Sequence, residues 1–203
     1  MVQFSVPEKA GHSSQKKSFF SFSVSDNPVL FAGSRHLQVP QGLCTDLIKA
    51  FGKLDKGFTV GCAKGVDQSF RYALANSPYS KQTFVACAFK GRIKRSYGLF
   101  ASLVVPEGLP PKGALVRRTL WLCKHCSMAV LFADDPLSNC WSRGSKLIFK
   151  ACLFQLKPLF VVTNNPPPES SFYKVLESSL FGVVSGYWAV PHPIIGGGLC
   201  DDT

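Results

Sequence analysis

Residues 58–74 read Phe-Thr-Val-Gly-Cys-Ala-Lys-Gly-Val-Asp-Gln-Ser-Phe-Arg-Tyr-Ala-Leu, and their hydrophobic period changes in the middle. Phe58-Thr59-Val60 is a short run that suits a buried strand and stops at Gly61. Beyond Gly65, residues Val66, Phe70, Tyr72, Ala73 and Leu74 fall at helical spacing. Small residues at 61, 63 and 65 keep the connection tight. A strand that turns directly into a helix is half of a βαβ unit, and such units build parallel sheets.

The same order recurs on both sides. Upstream, Val29-Leu30-Phe31-Ala32 ends at Gly33, and Leu43, Leu47, Ile48 and Phe51 follow at helical spacing up to Gly52. Downstream, Thr83–Cys87, Met128–Phe132 and Leu159–Val162 are further apolar strands. The helical sets Leu115, Leu120, Leu122, Cys123 and Leu147, Ile148, Leu153 lie between them. The predicted fold is α/β: a parallel sheet of about five strands with helices on both faces, spanning 29–165. Residues 1–28, rich in Ser, Lys and Phe without a clear period, read as an arm or edge element. Residues 166–203 read as a C-terminal extension. It comprises a helix over Phe172–Leu180, an added strand over Val183–Val190 and a loose Pro- and Gly-rich end from Pro191.

A chain of 203 residues with 46% apolar and 17% charged residues is one globular domain with appendages, which excludes a disordered chain. Its 23 Lys and Arg against 12 Asp and Glu leave a formal charge of +11, which concentrates anions such as nucleotides, nucleic acid or acidic partners. The N-terminus lacks the basic, apolar, small-residue order of a secretory signal, and no apolar run reaches the roughly 18 residues of a membrane span. A cytoplasmic protein with free thiols and no membrane partner is expected. Of the eight cysteines, Cys62, Cys87, Cys123 and Cys152 lie in apolar runs and behave as small hydrophobes. Cys123-x-x-Cys126 lacks the second pair of a four-ligand zinc site, so packing explains it and no metal is expected. His12, His36, His125 and His192 lie in unrelated contexts, and no Ser-His-Asp set can be assembled from them.

The chemistry collects where strands end. Gly33-Ser34-Arg35 offers backbone approach, a hydroxyl and a planar cationic fork for phosphate; the plain alternative is a strand-to-loop turn. Gly61-Cys62-Ala63-Lys64-Gly65-Val66-Asp67 runs into a helix whose free N–H groups favour an anion. It lacks the Gly-Lys-Ser/Thr ending of a Walker loop. Asp67 could cap the helix or accept from ribose hydroxyls. Arg117-Arg118 follows a Gly/Pro-rich loop, and Ser142-Arg143-Gly144-Ser145 opens the next helix. Paired arginines of that kind are ordinarily a solvated face. The basic run Lys90–Arg95, followed by Tyr97 and Phe100, suits either a solvated loop over the site or a grip on a nucleic-acid backbone.

Taken in order, Gly33-Ser-Arg35, Gly61-x-Ala63-x-Gly65-x-Asp67, Gly113-Ala114-x-x-Arg117 and Ser142-x-Gly144-Ser145 resemble the SLOG superfamily, and most nearly its YspA-like branch. That Rossmann-like group includes DNA-processing protein A and the LOG phosphoribohydrolases. The resemblance runs from about Val29 to Thr163. It implies a pocket for a nucleotide or nucleotide derivative built from Gly33, Ser34, Arg35, Gly61, Ala63, Lys64, Gly65, Asp67, Arg117, Arg118, Ser142, Arg143, Gly144 and Ser145. Arg118 stands where the branch has Asn, and Ser145 where it has Thr. LOG enzymes carry a catalytic glutamate where this chain has Ile148, so the resemblance does not carry phosphoribohydrolase activity with it.

The leading expectation is a binding protein for a nucleotide or nucleotide-derived signal, a sensor, sponge or regulator without turnover, with no cofactor. One alternative is a single-stranded DNA-binding protein like DNA-processing protein A. The other is a nucleotide N-glycosidic hydrolase whose catalytic group is not identified. A homo-oligomer is compatible with each.

Overall fold

The structure is a computed structural model that describes residues 27–192 apart from 136, 138 and 139. The arm expected over residues 1–28 falls almost wholly outside the described residues, as does the chain beyond His192. Four parallel pairings make the centre of the sheet. β1 (Val29–Gly33) lies between β2 (Phe58–Gly61) and β5 (Met128–Phe132), with Phe31 opposite both Val60 and Val130. β3 (Thr83–Cys87) continues the sheet beyond β2, and β8 (Leu159–Val162) continues it beyond β5. Each of these strands was legible as a continuous apolar run, because a central parallel strand is buried on both faces.

β1 shows how the two faces divide. Val29 and Phe31 pack into a core with α1 (Gln41–Gly52) and α2 (Val66–Ala75), whereas Leu30 and Ala32 pack into a second core with α3 (Pro111–Lys124) and α4 (Arg143–Phe154). In the first core the Phe31 ring stacks on Phe70 at a centroid distance of 4.0 Å. Tyr72 and Leu120, counted above among the helix-period residues, are on the solvent side, 51% and 41% exposed. Cys123, Cys126 and Cys152 are buried together in the second core, where the Cys126 thiol donates to the Cys123 carbonyl. Among the described residues no helix is long and apolar enough to cross a membrane.

The sheet has eight strands rather than about five, in the order β4-β3-β2-β1-β5-β8-β10-β9. The short strand β4 (Phe100–Leu103) pairs in parallel outside β3. At the other edge, residues 173–180 form a strand, β9 (Tyr173–Leu180), and not the expected helix. β9 pairs antiparallel with β10 (Val184–Pro191) along its whole length, from Val184 opposite Leu180 to Pro191 opposite Tyr173. Phe181 and Gly182, with φ of 57° and 69°, supply the left-handed turn that matches hairpin twist. β10 in turn pairs antiparallel with β8, which ties the hairpin to the sheet. Helical spacing in 172–180 therefore loses to pairing that only the rest of the sheet can offer. A two-stranded ribbon, β6 (Asp134–Asp135) with β7 (Cys140–Trp141), precedes α4.

From β1 the chain winds outward through β2, β3 and β4, then returns to β5 on the opposite side of β1. The connections after β1 and β5 thus diverge, which opens a crevice at the carboxyl ends of these two strands.

Candidate functional site

The loop after β1 is fixed through its backbone. The Ser34 N–H donates to the Phe132 carbonyl at 3.1 Å, and the Ser34 carbonyl accepts from the Val66 N–H at 3.2 Å. These bonds join the end of β1 to β5 and to the start of α2. Ser34 is fully buried, and its hydroxyl accepts from the His36 N–H at 3.2 Å. A side chain at Gly33 would run into the Phe132 carbonyl and the Val66 methyl. Gly65 has φ +68°, and a Cβ there would strike the backbone of Ser34 and Arg35. The first two candidate loops are therefore in contact, with exposed Arg35 and Lys64 flanking the contact. Gly65→Ala is expected to cost about 1–3 kcal/mol, the usual penalty of a strained backbone, read as a lower midpoint in urea unfolding. An unchanged midpoint would show that the two loops are not locked together.

Below that contact lies a buried polar network. The Arg118 guanidinium donates from Nη1 to Asp67 Oδ2 at 3.0 Å, and the Ala63 N–H donates to the same oxygen at 3.1 Å. Arg71 donates from Nη1 to the Gly61 carbonyl and from Nη2 to the Ala63 carbonyl, at 2.5 and 2.9 Å. Asp67, Arg71 and Arg118 are 5%, 3% and 8% exposed. The Nε atoms of Arg71 and Arg118 are buried without a partner. Burial pulls the Arg71 guanidinium below its usual range, while Asp67 and Cys62 act in the opposite direction. Two of the candidates, Asp67 and Arg118, thus face each other beneath the loop. Arg71 was not among the candidates, although its place four residues after Asp67 puts both on one face of α2.

The other two candidate loops are built differently. Arg117 is exposed on α3, and the space around Gly113 is open, its nearest neighbour being Pro110 Cδ at 4.0 Å. Ser142 caps α4: its hydroxyl accepts from the Ser145 N–H at 3.1 Å and lies 3.0 Å from the Ser145 hydroxyl. Ser145 is fully buried, Arg143 is exposed, and a Cβ on Gly144 would meet only Ser142 Oγ at 3.8 Å. No hydrogen bond or ion pair among the described residues joins Arg117 or the 142–145 turn to the first two loops.

The basic run Lys90–Arg95 is a 3₁₀ helix beside these loops. Lys90 pairs with Glu107 at 2.6 Å, Arg92 lies 5.0 Å from the Phe89 ring centroid, and Lys94 and Arg95 are exposed. The crevice extends from Leu37, after β1, across the carboxyl ends of β5 and β8, as a cleft of about 830 Å³ whose lining includes Asp134, Asp135, Thr163, Glu177 and Tyr187. Among the described residues it is lined by three carboxylates and by neither lysine nor arginine. Asp134 accepts from the Thr163 hydroxyl at 2.7 Å and from the Asn164 N–H at 2.9 Å. Asp135 accepts from the Leu137 N–H at 3.1 Å. This acidic pair follows β5 as directly as arginine follows β1, and no glycine motif marks it in the sequence.

No family model and no curated protein matches this chain. Solved structures of DNA processing protein A do share its fold. The protein from Helicobacter pylori, whose structure is described for its unique single-stranded DNA binding mode, superposes with a TM-score of 0.51 at 19% identity, over 69% of this chain and 66% of that one. The protein from Streptococcus pneumoniae gives 0.51 at 15% identity, over 70% of this chain and 52% of that one. This chain therefore spans less than two thirds of either neighbour.

Proposed function

We propose that this chain binds single-stranded nucleic acid along the carboxyl edge of its sheet, with the phosphate backbone against Arg35 and Lys64. The observation that carries the reading is a separation of charge. Arg35 and Lys64 stand exposed on two interlocked loops, with no hydrogen bond or ion pair to another described residue, whereas the cleft that begins at Leu37 is lined by Asp134, Asp135 and Glu177. An enclosed mononucleotide phosphate would meet carboxylates in that cleft, while an extended backbone can follow the open basic edge. Tyr97 and Phe100, packed against Tyr72 and Phe84 and still 44% and 46% exposed beyond the basic 3₁₀ helix, place aromatic surface where bases would pass. The fold shared with DNA processing protein A, one structure of which is described for single-stranded DNA binding, supports the same choice.

A nucleotide-derived signal is the second reading, and the crevice itself favours it. Leu37, on the loop that carries Arg35, lines the cleft, so ribose hydroxyls could face Asp134 and Asp135 with phosphate directed to Arg35. Neither reading requires turnover; Ile148, at the place of the LOG glutamate, is buried in the second core.

Titration with a labelled oligodeoxythymidine and with mononucleotides over a range of salt separates them. Backbone binding predicts log K falling with log salt by about 0.7 per phosphate contact, hence about 1.4 for the two cations. Tight, salt-insensitive binding of a mononucleotide with no oligonucleotide binding would overturn the first reading.

A further inference from the structure

The buried network holds more positive charge than its single carboxylate can balance. Arg71 and Arg118 share Asp67, and each keeps a buried Nε without a partner. Beside them, at the end of β2, is the sulfur of Cys62, only 5% exposed. Every group that addresses this sulfur is a donor: the Ala88 N–H at 3.5 Å, the Arg92 guanidinium at 3.9 Å and the thiol of Cys87. A sulfur surrounded by donors and guanidinium groups is in the surroundings that produce a thiolate. The groups around it are Cys87 from β3, Arg92 from the 3₁₀ helix, Arg118 from α3, and Arg71 with Asp67 from α2; the Tyr97 hydroxyl acts on Arg71. The Cys87 thiol first, then the Arg118 charge, the Ala88 N–H and the Arg92 guanidinium, outweigh burial, which acts in the opposite direction, and hold Cys62 down at about 5, while Cys87, which donates to it, keeps its proton.

Geometry also supplies a second thiol. Gly61 is opposite Ala86 in the parallel register, so Cys62 and Cys87 are the next neighbours and point to the same face. Strands in a sheet are about 4.8 Å apart, within the Cα separation of about 4.4–6.8 Å that a disulfide spans.

We propose that Cys62 is the site of reversible oxidation by hydrogen peroxide, with Cys87 as the thiol that resolves it. The Cys62 sulfur attacks one peroxide oxygen, the O–O bond breaks, and the departing hydroxide takes a proton to leave as water. The sulfenic acid so formed is attacked by the Cys87 sulfur. The S–O bond breaks as the S–S bond forms, and the hydroxide leaves with the Cys87 proton as a second water. Two thiols are oxidised by two electrons and one hydrogen peroxide is reduced. The disulfide removes the anion that balances the second buried arginine. This inference does not depend on the nucleic-acid reading.

Two measurements test it. The ultraviolet absorbance of thiolate, followed against pH in the native protein, should show one step near pH 5 that Cys62→Ser lacks, well below the ordinary cysteine value of about 8.5. Native protein treated with a slight excess of hydrogen peroxide, then denatured, alkylated and digested, should yield the Cys62–Cys87 linked peptide. Dithiothreitol should reverse the link. In Cys87→Ser the same treatment should leave Cys62 as a sulfenic acid that dimedone captures. Exposed Cys140 is the internal control, since oxidation governed by access alone would modify it first. A wild-type protein whose thiols all titrate in the ordinary range, or whose Cys140 oxidises while Cys62 stays reduced, would overturn the proposal without requiring either variant to fold.

Discussion

Asp67→Ala is expected to remove about 3–5 kcal/mol of stability, the usual consequence of deleting one partner of a buried ion pair. The side chains of Arg118 and Asp67 are 9% and 7% exposed, so water cannot replace the lost carboxylate. The substitution also strips the Ala63 N–H of its acceptor and leaves Arg71 and Arg118 buried with no carboxylate between them. Of a total stability of about 5–15 kcal/mol for a domain, such a loss is large enough to unfold much of the protein at physiological temperature. Urea unfolding measures it, and the double variant Asp67→Ala/Arg118→Met identifies the cause. With the facing guanidinium also gone, part of the lost stability should return, because replacing both members of a buried pair is often nearly neutral. A single substitution that costs under about 1 kcal/mol, or a double variant less stable than the sum of the two singles, would show that the pair does not hold the β2 loop.

The network explains what was legible in the sequence and what was not. Five strands could be read because each is a continuous apolar run buried on two faces. β4 and the β9–β10 hairpin lie outside that rule: Phe100–Leu103 is an exposed, mixed edge, and Tyr173–Leu180 is an edge strand with one neighbour. Its apolar residues also fit a helical period, and only pairing with β10 selects the strand. The glycines divide in the same way. Gly33 and Gly65 stand against neighbouring backbone, so a side chain could not fit. Gly113 and Gly144 face open space, and their agreement with a sequence pattern has no counterpart in packing. Arg117 and Arg118 read as one basic pair, yet consecutive helical residues point about 100° apart. One reaches solvent and the other crosses beneath the β2 loop to Asp67, a contact 51 residues distant in sequence that no local pattern encodes.

Reversing the two edge cations, Arg35→Glu with Lys64→Glu, is expected to weaken binding of a single-stranded oligonucleotide by about a hundred-fold or more. Charged hydrogen bonds to phosphate contribute about 1.5–3 kcal/mol each, and about 1.4 kcal/mol is a factor of ten. Like-charge repulsion in the variant adds to that loss. The salt dependence should flatten as well, the slope of log K falling by about 1.4 as two phosphate contacts disappear. Both side chains are exposed and neither has a partner among the described residues, so the unfolding midpoint should stay close to that of the wild type, which separates lost binding from lost structure. The matched control is Lys94→Glu with Arg95→Glu, which makes the same change in net charge on the neighbouring 3₁₀ helix. If the basic field of the whole protein, +11 in formal charge, were sufficient, the two double variants would be equally impaired. The locked loops at Gly33 and Gly65 predict that they are not: cations fixed on interlocked loops can meet successive phosphates at little entropic cost. Oligonucleotide affinity within about three-fold of wild type in the Arg35/Lys64 variant would remove the carboxyl edge from consideration as the nucleic-acid surface.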